Sequence, residues 1–381
     1  MLNIKIIGGE IITPETIQTK DLYLDNGLIY FSQKHALQSA GSVIDATNCY
    51  ITPGLFDLQV NGNKDCDLWS DFTADEFADL CVSMLQSGVT AFLPTLITAD
   101  IEHLRKNILL LESMGVGQAV SPQINELIAN RITAQKLNKN AKELIFLPGI
   151  HLEGPYLSKD RAGAHPPQYI RPIALDELAK LIRGSIKLMT IAPELENGQL
   201  AIEYLLKNKV IPSLGHSNAT FDQANGAFGW GIQLITHIFN ALPPIHQRHP
   251  GAVTAAFLNE NVYCCVICDG LHVSPEMVKL LLKMKGKDRV ILVTDIAKIG
   301  TTSGGLLGSS IKLSQAVVNI VKWGIASFPE AIQMATINPA RATKLEHIIG
   351  QIQEGRRADL VIWDRQTLRI KHVIANGQQV F

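Results

Sequence analysis

Five short segments of this sequence, each at the end of an apolar run, carry histidine, glutamate or aspartate. They are His151-Leu152-Glu153, Gly215-His216-Ser217, Thr236-His237-Ile238, Asp269-Gly270-Leu271-His272 and Val293-Thr294-Asp295. A lone histidine in such a place is usually structural. Five such segments brought to one face are hard to explain by packing, because buried carboxylates and imidazoles left unpaired cost free energy. A divalent cation relieves that cost. Glu153, His216 and His237 offer one carboxylate and two imidazoles, a donor set suited to zinc or a similar ion with one position left for water. Water on such an ion ionises near neutral pH and attacks a carbonyl. Asp295 is placed to take the water's proton and return it to a leaving nitrogen, as general base and then general acid.

The elements that must position these residues follow from the hydrophobic pattern. Eight mostly apolar runs read as buried parallel strands: Leu55–Val60, Thr90–Ile97, Leu144–Glu153, Ile186–Glu194, Val210–His216, Leu234–Asn240, Val262–Asp269 and Val290–Asp295. Helix-like stretches separate them. One opens at Thr73 with Glu76 three residues on, a capping-box spacing, and stops at Gly88; another runs from Ser274 to Met284, before Gly286. Eight strands with intervening helices predict a (β/α)8 barrel, with a doubly wound open sheet as the alternative. In such a barrel the chemistry sits at the C-terminal strand ends, where the polar segments fall. Short apolar runs split by Gly-containing turns at both chain ends, such as Leu22-Tyr23-Leu24 and Leu28 to Phe31 or Leu360 to Trp363 and Ile370 to Val373, predict hairpins. Neither end buries a core alone, so the two are expected to pair into one β module.

Composition narrows the function. The chain has 381 residues, 46% hydrophobic and 18% charged, with a net charge of −1, so no global charge favours nucleic acid or an anionic membrane. No basic start followed by an apolar stretch marks a signal peptide, and no apolar run is long enough for a membrane span. Six cysteines in a chain of this length do not read as a disulfide framework, and the cytoplasm is the expected compartment. Cys264, Cys265 and Cys268 lie along one strand and read as buried thiols rather than a metal cluster. Gly304-Gly305 to Gly308 is either a phosphate cradle or a flexible loop. Lys187 starts the fourth strand, the wrong end for catalysis. His35, His103, His347 and His372 fall outside the strand-end pattern.

The motifs together resemble the N-acetylglucosamine-6-phosphate deacetylases. The resemblance is carried by Pro53-Gly54-Leu55-Phe56-Asp57-Leu58-Gln59-Val60-Asn61-Gly62, His151-Leu152-Glu153-Gly154-Pro155-Tyr156, Ala192-Pro193-Glu194, Gly215 to Thr220, Thr236 to Ala241, Asp269 to Val273 and Val293-Thr294-Asp295, in the family's order along nearly the whole chain. It implies an amidohydrolase-type barrel, residues 53–345, with a small β-sandwich built from residues 1–52 and 346–381. It also implies that Glu153, His216 and His237 hold one divalent metal, zinc by default with iron, manganese or cobalt possible on the same donors. Asp295 then acts as acid and base. His165 contacts the acetamido group, and Asn240, Ala241, Arg248 and His272 hold the sugar phosphate. Gln59 and Asn61 stand where relatives with two metals carry His-x-His, so one metal is expected, with both amides near its water. Arg248 reaches the neighbouring subunit in the family, which implies a homodimer. A cyclic amidase is disfavoured by the missing His-x-His and strand-four lysine. Ile296 stands where the family has alanine, and the link from Asp295 to Gly304 is markedly shorter. This keeps open a deacetylase of a related acylated amino sugar, or a non-catalytic sugar-phosphate-binding homologue.

Overall fold

Strands that are apolar on both faces must be covered on both, by helices outside and by each other inside. The computed structural model, which describes residues 4–13, 16–32, 41–132, 143–298 and 308–381, has that form. Eight parallel strands follow one another in chain order: Leu55–Val60, Val89–Ile97, Ile150–Glu153, Ile186–Ile191, Ile211–Leu214, Leu234–Ile235, Tyr263–Ile267 and Val290–Val293. The sheet curls until its ends meet, where Val60 bridges Ile296 and the Asn61 N–H donates to the Ile296 carbonyl at 2.8 Å. The fold is the expected (β/α)8 barrel. Glu153 ends its strand, and the other polar segments follow the strands at the same C-terminal face.

Six strands are shorter than the sequence predicts. The third begins at Ile150 and not at Leu144, because Pro148 has no N–H to offer and Gly149 turns at φ 156°; Phe146 keeps a single bridge to Ala91. The fourth to eighth end early. The residues that follow the fifth, sixth and eighth strands leave extended geometry, with φ of 48° at His216, 25° at His237, 79° at Phe239 and 51° at Asp295. Non-glycine residues avoid this left-handed region. Its recurrence at three strand ends marks where the chain bends to aim side chains.

Helix Ala74–Gln86 is capped as its sequence requires. The Glu76 N–H donates to the Thr73 hydroxyl, and the Thr73 N–H donates to the Glu76 carboxylate at 2.8 Å. The second predicted helix is Pro275–Lys285, with Gly286 beyond its end. The chain ends pair as expected. Cys49–Pro53 runs antiparallel to Leu360–Asp364, which continues to Ile370–Ala375, within a six-stranded sheet; Ile4–Ile7 lies in a separate four-stranded sheet. Alternate residues serve two cores: Leu360, Ile362 and Ile374 pack with Ile6, Leu24 and Ile51, while Val361, Trp363 and Val373 pack against the barrel's helices. No helix among the described residues is long and apolar enough to cross a membrane.

Candidate metal centre and its cavity

Glu153 is buried, and two imidazoles aim at one of its oxygens. His237 Nε2 lies 2.9 Å from Glu153 Oε1, His216 Nε2 lies 3.2 Å from the same atom, and the two nitrogens are 3.2 Å apart. His216 Nδ1 donates to the Arg161 carbonyl at 2.9 Å, which leaves the lone pair of the neutral ring on Nε2. A lone pair, a second ring nitrogen and a carboxylate oxygen thus face one point. Such crowding of acceptors needs a shared proton or a cation. Burial opposes ionisation of both Glu153 and His237 and is outweighed in each: contacts from His165, His216 and His237 hold Glu153 well below the carboxylate range, and contact with Glu153 raises His237 to about 9. Among the described residues, no side chain or neighbouring group pairs with the buried Nδ1 of His237. The donor set therefore fits a divalent ion of zinc type.

His165 stands nearer this cluster than its expected role in substrate contact requires. Its Nε2 lies 3.7 Å from Glu153 Oε2, and donor atoms of Glu153, His165 and His216 all fall within 4.8 Å of one another. Thr98 holds its other nitrogen, with the Thr98 hydroxyl 2.9 Å and the Thr98 N–H 3.3 Å from His165 Nδ1, so Nε2 is turned toward Glu153. Burial, with His216 beside it, lowers its pKa to about 4 and keeps the ring neutral.

Asp295 completes the centre. Gln59 Nε2 and Asn61 Nδ2 both donate to its Oδ1, at 2.8 and 2.6 Å. Burial, reinforced by the Glu153 charge, raises its pKa to about 6. The two amides expected near the metal's water are thus brought onto Asp295 itself.

Glu153, His165, His216, His237, Asp295 and Asn61, but not Gln59, line a cavity of about 320 Å³ together with Asn240, Ala241 and His272, a size suited to a small ligand. Asp269 Oδ2 accepts from His272 Nδ1 at 2.6 Å and fixes that ring. Arg248 does not line this cavity; it is exposed on the loop after the sixth strand. His151 is absent from the cavity too. It is buried below Glu153 with Nδ1 3.1 Å from the Leu58 carbonyl and Nε2 2.8 Å from Thr190 Oγ1, and burial lowers its pKa to about 4. His103, His347, His372 and Lys187 lie elsewhere, as expected, and His35 lies outside the described residues. All six cysteines are free and buried. Of the glycine stretch, Gly308 lines the cavity, while Gly304 and Gly305 lie outside the described residues. Trp69, Ile97 and Leu271 line the cavity as an apolar wall, a role that sequence reasoning missed. Nothing in their spacing separates them from core or surface residues.

Comparison with known proteins agrees with this geometry. The model of the Amidohydrolase family matches residues 50–380. The chain is 30% identical to an N-acetylgalactosamine-6-phosphate deacetylase of Escherichia coli O157:H7, over 86% of this chain and 87% of that protein. It is 30% identical to an N-acetylglucosamine-6-phosphate deacetylase of Haemophilus influenzae, over 90% and 89%. The crystal structure of N-acetylglucosamine-6-phosphate deacetylase from Thermotoga maritima superposes with a TM-score of 0.81 at 29% identity, over 99% of both chains. With a family match that spans barrel and site alike, the chain belongs to the amidohydrolase family and is a hydrolase.

Proposed function

We propose that the protein hydrolyses the acetamide of N-acetyl-D-glucosamine 6-phosphate to D-glucosamine 6-phosphate and acetate. The observation that carries this reading is the convergence of Glu153, His216 and His237 beside an Asp295 carboxylate held by two amides, in one cavity. The three ligands would hold one divalent ion, by donor chemistry zinc, with iron, manganese and cobalt as the other occupants such a set accepts. When bound, the ion would polarise the amide carbonyl and lower the pKa of the attacking water. Gln59 and Asn61 argue for one ion, since neutral amides are poorer zinc ligands than the imidazoles of a His-x-His pair.

Asp295 takes the proton as the water oxygen bonds to the acetyl carbon, then passes it to the sugar nitrogen as the C–N bond breaks. A carboxyl near pKa 6 suits both halves of that exchange. His165 offers Nε2–H to the acetyl carbonyl. Asn240, Ala241 and the Asp269-fixed ring of His272 bind the sugar phosphate, and Arg248 extends to the cavity of a second subunit in a homodimer. Six buried thiols without a disulfide support a reducing, cytoplasmic setting.

A second reading keeps the chemistry and changes the sugar, because relatives acting on the galactosamine epimer are as similar as those acting on the glucosamine one. Acetate release by zinc-loaded protein from both 6-phosphates, beside unphosphorylated sugar and an Asp295→Asn variant, tests the proposal. Turnover that needs phosphate and Asp295 supports it, and the epimer ratio chooses between the sugars. A folded, zinc-loaded protein without turnover would favour a binding homologue.

A further inference from the structure

Asp57 is fully buried in the first barrel strand and takes no part in the cavity. Its Oδ1 accepts the N–H of Gln59 and the N–H of Thr294, both at 3.2 Å, and its Oδ2 accepts the Thr294 hydroxyl at 2.6 Å. These contacts cross the seam where the barrel closes. Among the described residues, the first and last strands share no ladder there, only the isolated Val60–Ile296 bridge. The side chain of Asp57 does at this seam what backbone hydrogen bonds do between the other strands.

The same seam carries the proton carrier. Thr294 precedes Asp295, and Gln59 is one of its two amide donors. Asp295 has φ 51°, a conformation a residue with a Cβ holds only under constraint. Asp57 grips the backbone on both sides of that arrangement. We propose that Asp57 is a positioning residue for Asp295, clamping the first strand to the last so that Oδ1 of Asp295 meets both amides and Oδ2 is left for the substrate's proton. This rests on the reading of Asp295 as acid and base. Among the described residues none donates to Oδ2.

The clamp is mechanical and survives loss of charge. The Thr294 hydroxyl also lies 3.2 Å from the Gln59 carbonyl. An asparagine at position 57 would accept both N–H groups and donate to Thr294, whose hydroxyl would turn to that carbonyl. Burial pushes the Asp57 carboxyl up to about 7, so the native side chain itself meets both states.

Asp57→Ala and the isosteric Thr294→Val should each lower kcat about 10–100-fold, with KM and zinc content within about twofold, while Asp57→Asn and Thr294→Ser stay within about threefold of wild type. A crystal structure of Asp57→Ala, or of Thr294→Val should the first not fold, should show the Asp295 carboxylate rotated away from Gln59 and Asn61. Unchanged kcat in the folded alanine and valine variants would overturn the proposal. So would equal damage from Asn and Ala, or joint loss of kcat, KM and zinc. Wild-type turnover that Asp295→Asn abolishes tests the parent reading separately. If wild type is inactive, the crystal structure still decides, and an unmoved Asp295 sinks the clamp.

Discussion

His216 and Asp295 show how neighbours assign a role to a side chain. The Arg161 carbonyl takes the Nδ1 proton of His216 and leaves Nε2 free as a ligand, whereas the Thr98 hydroxyl and N–H hold Nδ1 of His165 and turn its Nε2 toward Glu153. His216→Ala removes one of three ligands and should weaken zinc binding by more than the roughly 10–100-fold that loss of an outer-shell partner costs. Zinc retained after dialysis measures this; stoichiometric zinc would show that His165 replaces it. Asp295→Asn should lower kcat by about 10²–10⁴-fold, the usual contribution of a proton-transfer group, with zinc content intact. The same residue sets a pH dependence. Its folded pKa is raised to about 6, and the protonated form cannot accept a proton. kcat/KM should therefore fall as pH drops through about 6, and lower still when the cation's charge sits beside it. A pH profile flat down to pH 4 would count against Asp295 as the base.

At the scale of the element, local rules held where they concerned the starts and stops of helices. Thr73 and Glu76 cap Ala74–Gln86 as their spacing demands, and Gly88 ends it at φ 82°. Thr73 does not line the cavity, so Thr73→Ala should cost about 1 kcal/mol in urea unfolding and leave turnover unchanged. Loss of turnover without loss of stability would contradict that separation. Strand ends were read less well. A run such as Thr236-His237-Ile238-Phe239-Asn240 has β-like composition, yet positive φ at His237 and Phe239 takes it out of the ladder. Hydrophobic pattern reports burial, and these residues are buried; it does not report the backbone bend that turns an imidazole toward a neighbour.

At the scale of the molecule, the two chain ends are joined by a strand pair and by the Leu28–Arg357 bridge. Cys49–Pro53 lies against Leu360–Asp364, and Trp363 Nε1 donates to Thr52 Oγ1 at 2.9 Å while its ring fills the space against Phe328. Trp363 is fully buried in the core shared with the barrel. Trp363→Ala should cost about 3–5 kcal/mol. Chemical denaturation measures it, and a loss below about 1 kcal/mol would mean that the two cores are not mechanically joined there.

The sequence alone determined the (β/α)8 barrel, the pairing of the chain ends, the helix caps and the gathering of polar residues at the strand ends. Each is written in periodicity, in cap spacing or in the placement of histidine and carboxylate at the ends of apolar runs, all local features of the chain. Tertiary structure decided which atoms meet. It removed His151 from the cavity, drew His165 beside the donors, turned Gln59 and Asn61 onto Asp295 and tied Asp57 to Thr294 across the seam. The physical reason is distance along the chain. Asp57 and Thr294 are 237 residues apart, and only closure of the barrel brings a carboxylate of the first strand to the hydroxyl of the last.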